Sequence, residues 1–205
     1  ARAFCNNVLA KYGVETTFYD PLIGGGITDL IRDNTTVVYT ETPGSLTFEM
    51  QDVPAIAAAA HAHGSVVMHD NTWGTPLFFK SFEKGIDVSI HAATKYIVGH
   101  SDAMLGVLVT TDEHFETLFR AFRSSGQHAA PDDSYLALRG LRTMAVRLNQ
   151  HQENALGLAR WLEGQPEVGQ VLYPALESNP GHDLWKRDFL GASGLFGTTL
   201  KPCPR

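Results

Sequence analysis

Two residues whose types and settings could do chemistry stand out in this 205-residue chain: Lys95 and Asp70. Lys95 lies in Asp87-Val-Ser-Ile-His-Ala-Ala-Thr-Lys95-Tyr-Ile-Val-Gly99-His100-Ser101-Asp102. A Thr-Lys pair on its own is usually a surface lysine that opens a turn. Here an apolar strand precedes it, Ala92 and Ala93 leave room for a bulky ring, and a tight polar Gly-His-Ser turn follows. An ammonium delivered by a buried strand is costly to desolvate, which favours the free amine. The free amine is the form that makes a Schiff base with an aldehyde. Upstream, Val66-Val-Met-His-Asp70 ends a second apolar run with a carboxylate. Asp70 alone would as readily cap a turn with Asn71 and Thr72. Beside a pyridine nitrogen, however, a carboxylate keeps that nitrogen protonated and deepens an electron sink. A lysine for an aldehyde and a carboxylate for a pyridinium together point to pyridoxal 5'-phosphate (PLP). The hydroxyl of Thr94 either donates to a phosphate oxygen or simply ends a strand. Trp73, next to the site, is expected to close the core rather than face the ring.

These groups need a scaffold that delivers strand ends to one place. The chain alternates helical and strand patterns. Residues 2–12 read as helix closed by Gly13, 14–19 as a strand, 27–32 as a short helix and 36–40 as a β-branched strand. An Ala-rich helix over 54–63 stops at Gly64, and strands follow over 65–69, 88–91 and 105–110. A helix is expected over 112–123, a loop over 124–131, and one long bent helix or two over 132–162. Residues 168–173 and 194–200 read as strands, with a loop and short helix over 180–190. Short, fully apolar strands between helices predict an α/β fold with a mostly parallel sheet covered on both faces. In such sheets ligands collect at the carboxyl ends of strands, where both Asp70 and Lys95 fall. The change of pattern near residue 142 divides a partial large domain, 1–142, from the start of a second domain, 143–205.

The composition is that of an ordinary globular protein, 43% hydrophobic and 19% charged. A net charge of −6 with no dense basic patch argues against nucleic acid as a partner. No apolar run approaches the roughly 20 residues of a membrane span. Cys5 and Cys203 are too far apart for a disulfide framework or a metal motif, so reduced thiols and a cytoplasmic setting are expected. Nine histidines raise the question of a metal, but none has ligand-spaced partners: His61 and His63 point to different faces of a helix, and His69 and His91 are isolated in strands. No metal is expected. Gly24-Gly-Gly26 lacks dinucleotide-binding spacing, and there is no Gly-x-Ser-x-Gly elbow. The chain lacks an initiator Met, opens inside a helical pattern and stops just after a strand pattern, as a piece of a longer protein would.

The Lys95 run resembles the cofactor-attachment signature of the Cys/Met-metabolism PLP enzymes. The resemblance extends to Glu41-Thr-Pro-Gly-Ser45, Asp70-Asn-Thr, Ser134-Tyr-Leu-Ala-Leu-Arg-Gly-Leu-Arg-Thr143 and Gly181-His-Asp-Leu-Trp-Lys-Arg-Asp-Phe-Leu-Gly191, nearly the whole chain. Within the family it is most similar to the bacterial cystathionine β-lyase branch, through residues 19–24, 185–189 and the 41–46 run. The γ-enzymes usually carry Glu-Ser-Pro-x-Asn-Pro in place of that last run. The resemblance implies a fold type I, aminotransferase-like large domain and the start of an α+β C-terminal domain. It implies that Lys95 holds PLP, Asp70 faces the pyridine nitrogen and Thr94 helps to hold the phosphate. Ala92 departs from the Ser that many relatives carry three residues before the lysine, which removes one phosphate contact or moves it elsewhere. The implied reaction is β-elimination from cystathionine to homocysteine, pyruvate and ammonia, in a homotetramer with shared active sites. The alternatives are γ-elimination or γ-replacement, or an inactive piece that acts only in assembly. By resemblance, a stacking aromatic ring, further phosphate contacts and a carboxylate-binding Arg lie outside residues 1–205.

Overall fold

The computed structural model describes residues 1–202; the expectation for Cys203 lies outside them. At its centre is a four-stranded sheet in the order β1 (Val37–Glu41), β2 (Val66–Asp70), β3 (Val88–Ala92) and β4 (Gly106–Thr110). The first three strands are parallel, and β4 returns antiparallel to β3. The fold is therefore α/β with a mostly parallel sheet. The crossover from β1 to β2 runs through α2 (Val53–Ala62), which follows a short α1 (Arg2–Asn7) at the start of the chain. The Asp52 side chain accepts from Ala55 N at 3.2 Å to cap α2, and Gly64 in the left-handed region (φ 73) ends the turn after it. Val53, Ile56, Ala57 and Ala60 form one face of α2 and join Val38 and Val67 in the core.

Strand alternation decides which residues can meet. In β1 and β2, Val38, Thr40, Val67 and His69 are buried, whereas Tyr39, Glu41, Met68 and Asp70 point to the opposite face and are only half-buried. Burial is thus deeper on the first face, where the apolar face of α2 and the C-terminal segment join the core. The second face is partly covered and carries the buried Val88 of β3 beside Met68. The parallel register sets Glu41 beside Asp70.

Several local expectations change. The 2–12 helix breaks into α1 and a 3-10 turn, Leu9–Tyr12, closed by Gly13 at φ 77. Residues 14–19 form no strand: their alternation has no sheet edge to pair with, and the Tyr19 hydroxyl instead reaches Tyr39 O (3.0 Å) and Gln51 Oε1 (2.9 Å). The short helix near residue 27 is a 3-10 segment, Gly24–Leu30. Between β2 and β3 lie α3 (Thr75–Phe78) and a 3-10 turn, Ser81–Lys84, which the sequence reading did not anticipate.

After β4 come α4 (Asp112–Ser125) and α5 (Pro131–Glu163), a single helix of 33 residues that runs through position 142. A second sheet pairs β5 (Val168–Leu172) with β6 (Gly197–Leu200) antiparallel, and α6 (His182–Asp188) lies between them. Val171, Tyr173 and Phe189 share a core with Val38, Trp73 and Phe79. Charges stitch this segment down. Arg187 bridges Asp52 and Asp188, each at 2.7 Å, and Lys84 reaches the buried Asp188 at 3.0 Å.

Candidate active site

The carboxyl ends of β1 and β2 and the turn after β3 open onto one cavity of about 1110 Å³. Asp70, Thr94 and Lys95, the three residues singled out from the sequence, all line it. Asp70 is the last residue of β2. Its Oδ1 accepts from Thr72 N at 2.9 Å, and the Tyr39 hydroxyl leans on Oδ2 at 3.5 Å. The second oxygen is therefore still open to a donor. Burial, reinforced by the charges of Asp70 and Glu41, pushes the Tyr39 phenol well up, so it stays a donor. Thr72 Oγ1 accepts from Ala92 N at 2.8 Å and ties the end of β2 to the end of β3.

Lys95 sits in a tight turn after β3. Lys95 N donates to Ala92 O (2.9 Å), Val98 N to Ala93 O (2.8 Å) and Gly99 N to Lys95 O (2.8 Å), with Gly99 left-handed at φ 76. Only a residue without Cβ adopts that conformation freely. The desolvated lysine read from the sequence is corrected here. Lys95 is exposed at the cavity wall, because the buried strand ends at Ala92 and the turn carries the side chain clear of it. Its amine has no ion-pair partner among the described residues. Thr94 Oγ1 accepts from Leu105 N at 2.9 Å and donates to Leu105 O at 3.3 Å, so its hydroxyl is already engaged with backbone. Trp73 closes the core: its indole N–H donates to Leu195 O at 2.8 Å, and its ring meets Tyr173 and Phe189 edge-on.

The wall holds residues that the sequence reading passed over: Tyr39 beneath Asp70, and Glu41, Thr72, Arg147 and His151 at the cavity itself. Two of them had a signal, since Tyr39 and Glu41 alternate onto the face of Asp70 once β1 and β2 are set in register. Arg147 and His151 had none, because they arrive on α5. The run Glu41, Pro43, Gly44, Ser45 and Leu46 also lines the cavity, with the Ser45 hydroxyl donating to the Glu41 carboxylate. Three lining residues without the freedom of glycine hold positive φ: Leu46 (73), Phe48 (57) and Ser101 (57). Each costs about 1–3 kcal/mol, a strain that tends to gather at functional sites.

The opposite face of the sheet carries a buried polar cluster. Thr40 Oγ1 meets His69 Nδ1 at 2.8 Å; Ser89 Oγ meets His91 Nε2 and Ser81 Oγ, each at 3.0 Å. Burial, aided by His91, holds the His69 imidazole down to about 3, and burial also lowers His91. Both rings are neutral members of the core. No group of three or more His, Cys, Asp or Glu that could hold a metal ion gathers among the described residues.

The residues present fit PLP. An unpaired lysine amine, a carboxylate with an open oxygen, several hydroxyls and an arginine face one cavity large enough for a substituted ring and a phosphate. With this geometry in hand, family membership is plain. The chain belongs to the Cys/Met metabolism PLP-dependent enzyme family, whose model matches residues 1–203. It is 48% identical over 200 residues to the cystathionine β-lyase MetC of Escherichia coli, covering 97% of this chain and 51% of that protein. It is also 48% identical over 199 residues to the cystathionine β-lyase of Salmonella typhimurium, covering 96% of this chain and 50% of that one. The solved cystathionine γ-lyase from Lactobacillus plantarum complexed with L-serine has a TM-score of 0.95 at 30% identity, over 98% of this chain and 53% of the other. The fold expected from the resemblance is thus the fold found. The chain spans about half the length of the curated relatives it matches.

Proposed function

We propose that the protein is a PLP-dependent carbon–sulfur β-lyase that cleaves cystathionine to homocysteine, pyruvate and ammonia. The observation that carries this reading is that Lys95 and Asp70, from separate strand ends, face one cavity, within a chain 48% identical to cystathionine β-lyases. When bound, PLP supplies the electron sink for a Cα carbanion. Lys95 would hold this group by its side-chain amine, and the same amine, when free, would take the Cα proton as a general base. Asp70 would accept the ring N–H with its open carboxylate oxygen and keep that proton in place; Thr72 N and the Tyr39 hydroxyl hold the carboxylate for the task. Thr72 and Ser101 offer hydroxyls to the phosphate from the same wall, and Thr94 adds its own by exchanging the long 3.3 Å bond to Leu105 O for it. Thr72 is well placed to stand in for the Ser that Ala92 replaces, since its oxygen already sits against Ala92 N. The β-thiolate leaves and takes a proton as homocysteine, and water hydrolyses the released 2-aminoacrylate to pyruvate and ammonia.

The Glu41–Leu46 wall favours β- over γ-elimination in this reading, because the run that differs from the γ-enzymes faces the cavity. We assign 1–142 to a PLP-binding large domain and 143–205 to the start of the small domain of a homo-oligomer with shared active sites, in the cytoplasm. The test is product analysis of the full-length protein with cystathionine. Pyruvate with homocysteine is expected, and 2-oxobutyrate would instead assign γ-elimination. Lys95→Ala is expected to abolish thiol release, and release at the parental rate would sink the proposal.

A further inference from the structure

We infer that Arg147 is the positioning residue for Lys95, holding the lysine turn against α5 by bonding its backbone. The inference rests on the reading of Lys95 as the cofactor-linking lysine. Arg147 Nη2 donates to Tyr96 O at 2.9 Å and to Gly140 O at 2.8 Å, and its Nε donates to Thr143 Oγ1 at 3.1 Å. One guanidinium therefore joins the carbonyl of Tyr96, the residue after Lys95, to a helix far along the chain.

An arginine is always charged, and a charge taken from water needs pairing or hydrogen bonds. Six ion pairs form among the described residues, and none includes Arg147. Its Nη1 is buried with no partner. Among the described residues no carboxylate holds the guanidinium; its bonds go to the lysine turn and to α5 itself. Two glycines make that approach possible. A Cβ on Gly99 would strike the guanidinium, with Nη2 at 2.6 Å. A Cβ on Gly140 would strike the carbonyl oxygens of Ile97 and Val98, with the Val98 carbonyl carbon at 2.8 Å. A side chain at Gly140 meets turn backbone and drives helix and turn apart, whereas one at Gly99, already strained at φ 76, displaces the guanidinium. Inside the turn, Gly99 N to Lys95 O and Val98 N to Ala93 O pass the contact to the Lys95 backbone. The Lys95 side chain is exposed and free of ion pairs, so the backbone is what sets where its amine begins. A misplacement of about 1 Å in such a group can cost about 10²-fold in rate.

The test uses the full-length holoenzyme. Arg147→Met keeps the length of the stem and removes every donor, and Arg147→Lys keeps the charge. For Arg147→Met, kcat is expected to fall roughly tenfold to a hundredfold with KM within about twofold. The pH midpoint of the visible band of the lysine-bound cofactor and the rate at which borohydride fixes the cofactor onto Lys95 are expected to shift as well, with Arg147→Lys restoring part of each. A lowered melting temperature with kcat, band midpoint and reduction rate all parental overturns the inference and leaves Arg147 a structural residue. If Arg147→Met does not fold, Gly140→Ala presses the same contact from α5 with the guanidinium intact. The same spectral shift is expected there, and an unchanged band overturns the inference. Parental thiol release by Lys95→Ala would remove the reading of Lys95 and this inference with it. An essential Lys95 beside parental Arg147 variants would remove this inference alone.

Discussion

Acid should loosen β2, the strand that ends in Asp70, through the residue next to it. His69 is 0% exposed, its Nε2 has no partner, and its Nδ1 meets the Thr40 hydroxyl. Burial first, and then the neighbouring His91, holds its pKa down to about 3 from the ordinary 6.5. An unfolded chain takes up a proton on this ring near 6.5, and the folded chain only near 3. The contribution to stability is therefore whole above pH 6.5 and is lost as the pH falls toward 3. At 1.36 kcal/mol per unit, the loss is about 2 kcal/mol by about pH 5 and about 5 kcal/mol at the limit. His69→Leu removes the titrating ring at similar bulk, and the Thr40 hydroxyl keeps its contact to Met68 O at 3.3 Å. The assay is urea unfolding of both proteins near pH 7.5 and near pH 5. The parental protein should lose about 2 kcal/mol more than the variant between the two conditions. His91, also lowered by burial, is present in both and largely cancels. Equal losses would refute the reasoning, because they would mean that His69 protonates as readily in the fold as outside it.

Three further outcomes are expected. Asp70→Asn keeps the shape at the end of β2 but removes the carboxylate; thiol release should fall about 10²-fold or more, with the variant still folded by circular dichroism. Asp188→Ala strands Lys84 beside a buried hole and leaves Arg187 only its pair with Asp52; it should cost about 3 kcal/mol by urea unfolding, the low end for a broken buried pair because both cations retain some water. Trp73→Phe loses the bond to Leu195 O and part of the contact with Tyr173 and Phe189. It should cost about 1–2 kcal/mol and, because Leu195 and Phe196 form one wall of the cavity, raise KM more than it lowers kcat.

Much of the fold was legible because its signals are local. The strands β1, β2, β3 and β4 are short apolar or β-branched runs bounded by turn residues, and α2 carries its own cap and stop. The misses are also local in origin. Residues 14–19 alternate like a strand, yet a strand exists only where a neighbour offers its backbone. The elements between β2 and β3 are single turns too short for a period to register. For α5 the sequence left one long helix or two open, and the packed structure decides for one.

The sequence alone determined which groups are available: a lysine after one strand, a carboxylate ending another, small residues between them, and a family signature around the lysine. Tertiary structure decided that these groups share a cavity, that Tyr39 lies under Asp70 with Glu41 beside it, that Lys95 is exposed rather than buried, and that Arg147 spans from α5 to the lysine turn. The division has a physical cause. Side-chain chemistry and strand propensity belong to a residue and its immediate neighbours. Strand register, exposure and the docking of a helix on a turn arise from contacts between distant segments, which no local pattern encodes.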